Sequence, residues 1–540
     1  MSTSRYDYIV IGAGAAGCAV ANRLSADPHT TVLLLEAGGR DWSPLIHMPV
    51  GFTKLSGPKV NWGFHTVPQR QLDNRRMYYP QGRTLGGSTS INAMIYIRGQ
   101  REDYDRWAQN GNPDWSYANV LPFFKRAEHN ERLNDEFHGS DGAMNVTEQI
   151  QHNPLSKAFV RAAQELGVTF IADFNGARQE GVSWYDVTQR NARRESASTA
   201  YLRPIRGRKN LTIQTHALAT RVLVEKGRAV GLRYLHKGHP TTAYADREVI
   251  LSGGAVNSPR LLLLSGIGPA DELRALGIDV VHDLPGVGKN FQDHMDVYLT
   301  AETVPVSYNQ SDRPDRALLA GLQYITTRTG PITASVCEAG MFVRSSADVA
   351  TPDIQMHALP AYVIDHGRMR VKGHGMTINT CNLRPRSTGQ VTLRSSDPAD
   401  EPDIDPNFLD DPYDWKVSLE GFRWGREMLA TKAFAPFVKR EHMPGKDIRT
   451  DAQIREYVRR WAKTDYHPVG SCKMGADPLA VVDQALRVHG IEGLRVIDAS
   501  IMPTLISGNT QATSIMIGEK GAHHVLGGAV ADVDDQAVSA

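Results

Sequence analysis

The chain is 540 residues long, with 60 Lys and Arg against 59 Asp and Glu and a formal net charge of +1. That length exceeds one compact core and fits two or three domains, and the balanced charge gives no reason to expect nucleic acid or an anionic membrane as partner. Cys18, Cys337, Cys381 and Cys472 stand far apart, with no Cys-x-x-Cys pair and no Cys/His ligand spacing, which argues against a disulfide framework or a zinc site and for a reducing compartment.

In chain order, Ser4-Arg5-Tyr6-Asp7 leads directly into Tyr8-Ile9-Val10-Ile11, a buried strand, leaving no room for a secretory signal before ordered structure. Residues 15–25 follow as a helix with small residues on its first turn, and 31–36 as a second buried strand. This βαβ unit demands a parallel sheet covered on both faces, hence the α/β class. From about Asn153 to Pro204, and again from about Val304 to Lys463, alternating stretches such as Gln390-Val-Thr-Leu-Arg394 predict antiparallel strands among short helices. Strand patterns return at 212–234, 248–252 and 491–498, and a helix is expected at about 513–526.

The predicted architecture is a discontinuous Rossmann-like nucleotide-binding domain (1–152, 205–303 and 464–530) plus an α+β substrate-binding domain with an antiparallel sheet (153–204 and 304–463), ending in a tail at 531–540. No segment supplies about 18 uninterrupted apolar residues, so a soluble, cytoplasmic protein without a transmembrane segment is expected, a peripheral membrane role being left open.

Gly12-x-Gly14-x-x-Gly17 lies between the first strand and the first helix. There the first glycine permits a tight turn, the second lets backbone approach a pyrophosphate, and the third packs helix on strand. The helix N-terminus offers unpaired N–H groups and a positive dipole end to the phosphates. Glu36 ends the next strand, where a carboxylate can accept from ribose hydroxyls and would repel a 2′-phosphate. The loop alone leaves FAD and NAD open.

Three further segments bear on that choice: Gly82-Arg-Thr-Leu-Gly-Gly-Ser-Thr-Ser-Ile-Asn92; Gly254-Ala-Val-Asn-Ser-Pro-Arg-Leu-Leu-Leu-Leu-Ser-Gly-Ile-Gly268; and Tyr466-His467-Pro468 with Gly470-Ser-Cys-Lys-Met-Gly475, Val496-Ile-Asp-Ala-Ser500 and Gly508-Asn509-Thr510. Together they resemble the glucose-methanol-choline (GMC) oxidoreductase family over nearly the whole chain. The resemblance implies FAD, with Gly12, Gly14, Ala15 and Gly17 at the pyrophosphate and Glu36 and Ala37 at the adenosine ribose. It sets Ala219 at the adenine and Arg83, Gly86, Gly87, Ser88, Asn92, Ala93 and Ile95 along the flavin side. It brings Asp498, Ala499 and Thr510 toward the ribityl chain and the ring. Some members tether the flavin through a histidine just before the asparagine of the first signature. Here that position is Ile91, which has no nucleophile, so a non-covalent FAD is expected.

Oxidising an alcohol through a flavin needs a base for the hydroxyl proton while hydride leaves for flavin N5, and histidine suits this because its pKa of about 6.5 lies near working pH. The resemblance assigns that role to His467, with Asn509 donating to the substrate oxygen. A turn residue is the other reading of Asn509. His489, His523 and His524 carry no such motif.

Glu338, Tyr466 and Asp465 are candidates for the substrate pocket, a salt bridge being the other reading of Glu338. Asp465 would add polarity beside the path oxygen takes to a reduced flavin.

Ile46-His-Met-Pro-Val-Gly51, Asp173-Phe-Asn-Gly176, Tyr201-Leu-Arg-Pro204 and Asp405-Pro-Asn-Phe-Leu409 resemble the family's bacterial branch of L-sorbose, polyethylene glycol, choline and aliphatic alcohol dehydrogenases. The expectation is a dehydrogenase that oxidises a primary alcohol and passes electrons to a quinone-type acceptor. An oxidase using oxygen, a hydroxynitrile lyase with an idle FAD and a non-catalytic flavin scaffold stand as alternatives. The particular alcohol and the oligomeric state are not readable.

Overall fold

The computed structural model describes residues 4–309 and 313–528, so the tail expected at 531–540 lies outside the described residues. The apolar run at the start forms the strand Ser4–Ile11, which pairs in parallel with Val32–Glu36 on one side and His239–Leu251 on the other. Leu211–Thr215 extends this sheet beyond Val32–Glu36, and Leu494–Val496 pairs in parallel with the end of His239–Leu251. An antiparallel meander, Ala217–Glu225 and Arg228–His236, completes its far side. The parallel strands are apolar on both faces because helices Ala15–Leu24 and Gln511–Val525 pack against each other over one side. Ile9, Val10, Leu33, Leu34, Ile250 and Trp107 are fully buried in this core.

A second sheet is antiparallel, in the order Val438–Met443, Met295–Thr303, Gly375–Asn382, Ile354–Leu359, Ala339–Val343 and Gly181–Trp184, with Lys463–Thr464 pairing on Met295–Thr303. Helices Pro154–Glu165 and Pro412–Leu429 cover it around Phe159, Met341, Met356 and Ile378.

Two boundaries drawn from sequence are corrected. Met295–Thr303, placed in the 205–303 nucleotide segment, lies inside the second sheet because its antiparallel ladder runs with Gly375–Asn382. Residues 197–202, placed in the 153–204 substrate segment, belong with the nucleotide core, where Ala197, Ala200, Tyr201 and Leu202 are buried. Short ordered stretches also replace two longer expectations: only Leu494–Val496 of 491–498 is a strand, and Gln390–Thr392 pairs with Asp403–Asp405 in a separate ribbon.

Candidate active site

A single large cavity of about 890 Å³ runs from the carboxyl ends of the parallel strands to the second sheet. At its nucleotide end stand Gly12, Gly14 and Ala15, then Leu35, Glu36 and Ala37, then Ala217, Leu218 and Ala219. Gly12 has φ +102, and a Cβ there would meet the Ser252 carbonyl at 2.4 Å. A Cβ on Gly17 would lie 1.9 Å from the Gly12 carbonyl oxygen, so this glycine is what lets helix Ala15–Leu24 lie on the strand. Gly14, by contrast, faces open space, its nearest would-be neighbour 4.0 Å away. Turn, close approach and packing are thus divided among the three glycines as the motif requires. Glu36 accepts from the Ala13 and Gly38 N–H groups at 3.1 and 2.8 Å, and burial lifts its carboxyl to about 7.

The middle of the cavity is lined by Gly87, Ser88, Ile91, Asn92, Ala93 and Ile95 on one side and by Asp498, Ala499, Asn509 and Thr510 on the other. Two residues expected on this wall stand behind it. Arg83 stacks its guanidinium 4.5 Å from the Trp62 ring centroid, and Gly86, at φ +88, donates its N–H to the Ala13 carbonyl at 2.8 Å. They buttress the wall rather than form it. Asn92 is held by Gln511 and by the buried Arg194, whose Nη1 donates to Asn92 Oδ1 at 2.8 Å. Asp498 accepts from Gly254 N–H at 2.8 Å, Ser258 Oγ at 2.5 Å and Ser500 N–H at 2.8 Å, which ties together the two segments that carry these residues.

At the far end, His467 leaves the ladder between 292–296 and 463–469. Met295 pairs with Thr464, the Asp465 N–H donates to the His294 carbonyl at 2.8 Å, and the Val469 N–H donates to the Gln292 carbonyl at 2.9 Å. Tyr466 between them takes φ +70, a positive value uncommon outside glycine, and this turn lets His467 face the cavity. Asp293 fixes the turn: its carboxylate accepts from Tyr79 Oη and Thr464 Oγ1 at 2.5 Å each and from the His467 N–H at 2.8 Å. Asn509 follows Gly508, whose missing Cβ admits Ile97, and precedes the helix Gln511–Val525.

The side chains form one hydrogen-bonded line. Gln355 Nε2 donates to Asn509 Oδ1 at 3.1 Å, so the Asn509 amide presents its NH₂ to His467 Nε2 at 2.9 Å. On the other side of the ring, His467 Nδ1 meets His294 Nδ1 at 2.9 Å, and His294 Nε2 lies 3.0 Å from the Leu383 carbonyl. That carbonyl can only accept, so His294 carries its proton on Nε2. Burial holds the His294 ring near a pKa of about 4, hence neutral, and its bare Nδ1 accepts the hydrogen bond that His467 Nδ1–H donates. The lone pair of His467 is therefore on Nε2, where it accepts from Asn509 Nδ2. Burial, then its histidine neighbours, also lowers the His467 pKa well below the ordinary value, so the ring is neutral at working pH.

Residues 6–296 match the family model for the N-terminal part of a GMC oxidoreductase, and 385–518 the model for its C-terminal part. The chain is a member of the GMC oxidoreductase family. Among curated relatives it is 48% identical over 528 residues to an alcohol dehydrogenase [acceptor] of Pseudomonas putida, covering 96% of each chain. It is 45% identical over 543 residues to the mitochondrial choline dehydrogenase of Homo sapiens, covering 97% of this chain and 90% of that one. A formate oxidase from Aspergillus oryzae RIB40, solved in work on FAD modification, superposes with a TM-score of 0.92 at 25% identity, over 98% of this chain and 99% of that one.

In this GMC oxidoreductase the structure brings His467, Asn509, Asp465 and Tyr466 to one end of the cavity and removes Glu338 from it. The Glu338 carboxylate is drawn backward by the Asn153 N–H, which donates to it at 2.7 Å, and by the Tyr308 hydroxyl, which stands between it and the cavity. Its expected place in the substrate pocket is corrected accordingly. Asp465 lies 3.6 Å from His467 Nδ1, and burial followed by the charge of Asp296 pushes its pKa well above the carboxylate range.

Sequence reasoning missed His294, Asp293, Gln355, His357, Asp296 and Lys463. A signal was present for some of them. Gln355 and His357 are polar residues at alternate positions of the buried strand Ile354–Leu359, and a polar side chain inside such a strand needs a partner. All four cysteines are free and buried, and among the described residues no helix is long and apolar enough to cross a membrane.

Proposed function

We propose that the chain is an FAD-dependent alcohol dehydrogenase that converts a primary alcohol to its aldehyde, with His467 as base and a quinone-type molecule as final electron acceptor. The reading rests on the hydrogen-bonded line from Leu383 through His294 and His467 to Asn509, which fixes an unprotonated Nε2 at the wall of a cavity that continues to the Gly14 loop. The chamber suits FAD: Gly14 puts no Cβ into it, Gly87, where a Cβ would meet Gly14 Cα at 2.8 Å, lets the two loops close on each other, the buried Glu36 carboxyl stands at its nucleotide end, and Ile91 offers no attachment atom, so the cofactor is held non-covalently. Bound FAD supplies the two-electron acceptor for the hydride that leaves the carbinol carbon.

The protein's own residues do the rest. His467 Nε2 and Asn509 Nδ2 lie 2.9 Å apart, so a substrate hydroxyl that inserts between them replaces their mutual hydrogen bond, gives its proton to the histidine and keeps a donor on its oxygen as negative charge develops. His294 holds the accepting tautomer throughout, and Gln355 keeps the Asn509 amide from flipping.

The test is anaerobic addition of alcohols with the visible absorbance of the flavin as readout. Loss of that absorbance supports oxidation, and its retention during turnover would identify a lyase. Unchanged turnover in His467→Ala would refute the assignment of the base. The structural likeness to a formate oxidase makes oxygen the rival acceptor. Rapid peroxide formation in air, faster than reduction of an artificial quinone, would establish the oxidase.

A further inference from the structure

Lys463 and Asp296 face each other across the antiparallel pair formed by Lys463–Thr464 and Met295–Thr303, so the backbone register itself sets one beside the other. The lysine ammonium is ion-paired with Asp296 Oδ2, the two side chains being 5% and 0% exposed. Asn379 Nδ2 also donates to Asp296 Oδ2 at 2.7 Å. Lys463, Asn379, His357, Asp465, Tyr466 and His467 line the cavity, whereas Asp296 does not. The carboxylate is thus behind, and the ammonium in front, at the wall that holds the base.

The charge state follows. Burial pulls the Lys463 pKa down, but the Asp296 carboxylate outweighs it and the lysine stays protonated. Burial and the nearby Asp296 charge push the Asp465 pKa up, and burial pushes that of Asp296 up as well, against the pull of the lysine. Asp296, His357 and Asp465 present ligand atoms within 4.8 Å of one another, yet the lysine already supplies the cation that such a group would otherwise attract. Lys463 Nζ also lies 5.2 Å from the Tyr466 ring centroid, taking the aromatic face that an external cation would use.

We propose that Lys463 sets the charge of the substrate: the pocket accepts an uncharged or anionic alcohol bearing an oxygen that the lysine can bind, and rejects alcohols that carry a quaternary ammonium. This rests on the alcohol-oxidation reading above. The ammonium stands nearer the cavity than its carboxylate, so a substrate cation about 5 Å away meets a repulsion that Asp296 behind it only partly offsets, which at an effective dielectric of about 20 weakens binding roughly tenfold.

The probe is a matched pair, choline and its uncharged carbon isostere dimethylbutanol, titrated into the holoenzyme with the perturbation of the flavin spectrum as the binding signal. The wild type should bind the isostere at least tenfold more tightly. Lys463→Met should shift the preference toward choline by exposing Asp296. The charge-neutral Asp296→Asn/Lys463→Met double variant, which keeps the test available if the single variant does not fold, should bind both alike. Equal or tighter choline binding by the wild type, or a wild-type ratio in the double variant, would overturn the proposal. Failure of every alcohol to reduce the flavin would instead defeat the alcohol-oxidation reading, because the binding ratio is read without turnover.

A different surface carries a second inference. Helix Pro314–Thr327 exposes Leu318, Leu319, Leu322 and Ile325 by 75, 58, 58 and 71%, positions that fall on one face, while Ala320 and Tyr324 are buried on the other. Ala317 and Ala320 of this helix, with Met369, Arg370 and Val371 of the neighbouring loop, line the large cavity. Exposed basic residues lie on the same two segments: Arg316 on the helix, Arg313 and Arg328 at its ends, and Arg368, Arg370 and Lys372 on the loop. The acidic residues of these segments, Asp315 and Asp365, lie 2.9 and 3.9 Å from Arg313 and Arg368.

We infer that this helix lies in the surface of a membrane with anionic headgroups, setting the cavity against the lipid phase. The holoenzyme should float with vesicles of phosphatidylcholine and phosphatidylglycerol more than with phosphatidylcholine alone. Leu318→Glu/Leu322→Glu should abolish flotation while leaving turnover with a soluble dye unchanged. Absent flotation of the wild type, or equal flotation of the variant, would overturn this. A wild-type dimer that the same variant turns into a monomer would assign the face to a second copy and overturn it as well.

Discussion

Replacing His294 tests the tautomer argument most directly. In His294→Leu the Nδ1–H of His467 loses its acceptor at 2.9 Å and becomes a buried donor without a partner in the tautomer that catalysis needs. Leaving such a group unpaired costs about 1–3 kcal/mol. If that cost falls on the productive tautomer, kcat/KM drops by roughly 5- to 150-fold, at about 1.4 kcal/mol per decade. His294→Gln restores an oxygen acceptor on the same side and should recover most of the loss. The assay is steady-state turnover at several pH values with a dye acceptor, alongside flavin content and thermal midpoint for each variant. Because His467 titrates well below its ordinary range, the wild-type profile should show no acid limb near the usual histidine value of about 6.5. Wild-type kcat/KM in His294→Leu, or equal loss in His294→Gln with flavin content intact, would refute the reasoning.

Asn509→Leu removes the donor that steadies the substrate oxygen and should lower kcat/KM by about 100-fold at unchanged flavin content, measured by the same assay. Gly17→Ala places a Cβ 1.9 Å from the Gly12 carbonyl oxygen and should give protein without visible flavin absorbance. Glu36, whose pKa rises from 4.5 to about 7 on burial, binds its proton more tightly in the folded state. Apoprotein stability from this group is full below pH 4.5 and falls as pH rises to about 7, so the thermal midpoint should decline across that window. Glu36→Gln should flatten that decline, and FAD, whose ribose hydroxyls donate to the carboxylate, should reduce it.

The parallel sheet was legible because its strands are apolar on both faces and because three glycines with different duties mark its first turn. The proposed catalytic pair could be picked out only through resemblance, since His467 and Asn509 are individually ordinary turn residues. Its supporting shell was hidden for a physical reason. His294, Gln355 and Asp296 act through contacts with residues 467, 509 and 463, and nothing in a linear sequence states which strands will pair. The boundary drawn at 303 overran for the same reason, because nothing within Met295–Thr303 states which sheet it will join. The exposed apolar helix Pro314–Thr327 shows a related blindness. A whole-chain charge of +1 conceals a local basic cluster, as an average always does.

The ladder between 292–296 and 463–469 has an evolutionary corollary. Asp296 lies on one strand with His294 just before it, Lys463 lies on the other with His467 in the turn that follows, and their matching depends on a single register. A one-residue insertion or deletion in either segment would turn alternate side chains to the opposite face, uncoupling the proton acceptor from its helper and the lysine from its carboxylate in the same event. Point substitutions here can drift one property at a time. Length changes cannot, so among chains that keep this chemistry these two short segments should vary in letter but not in count.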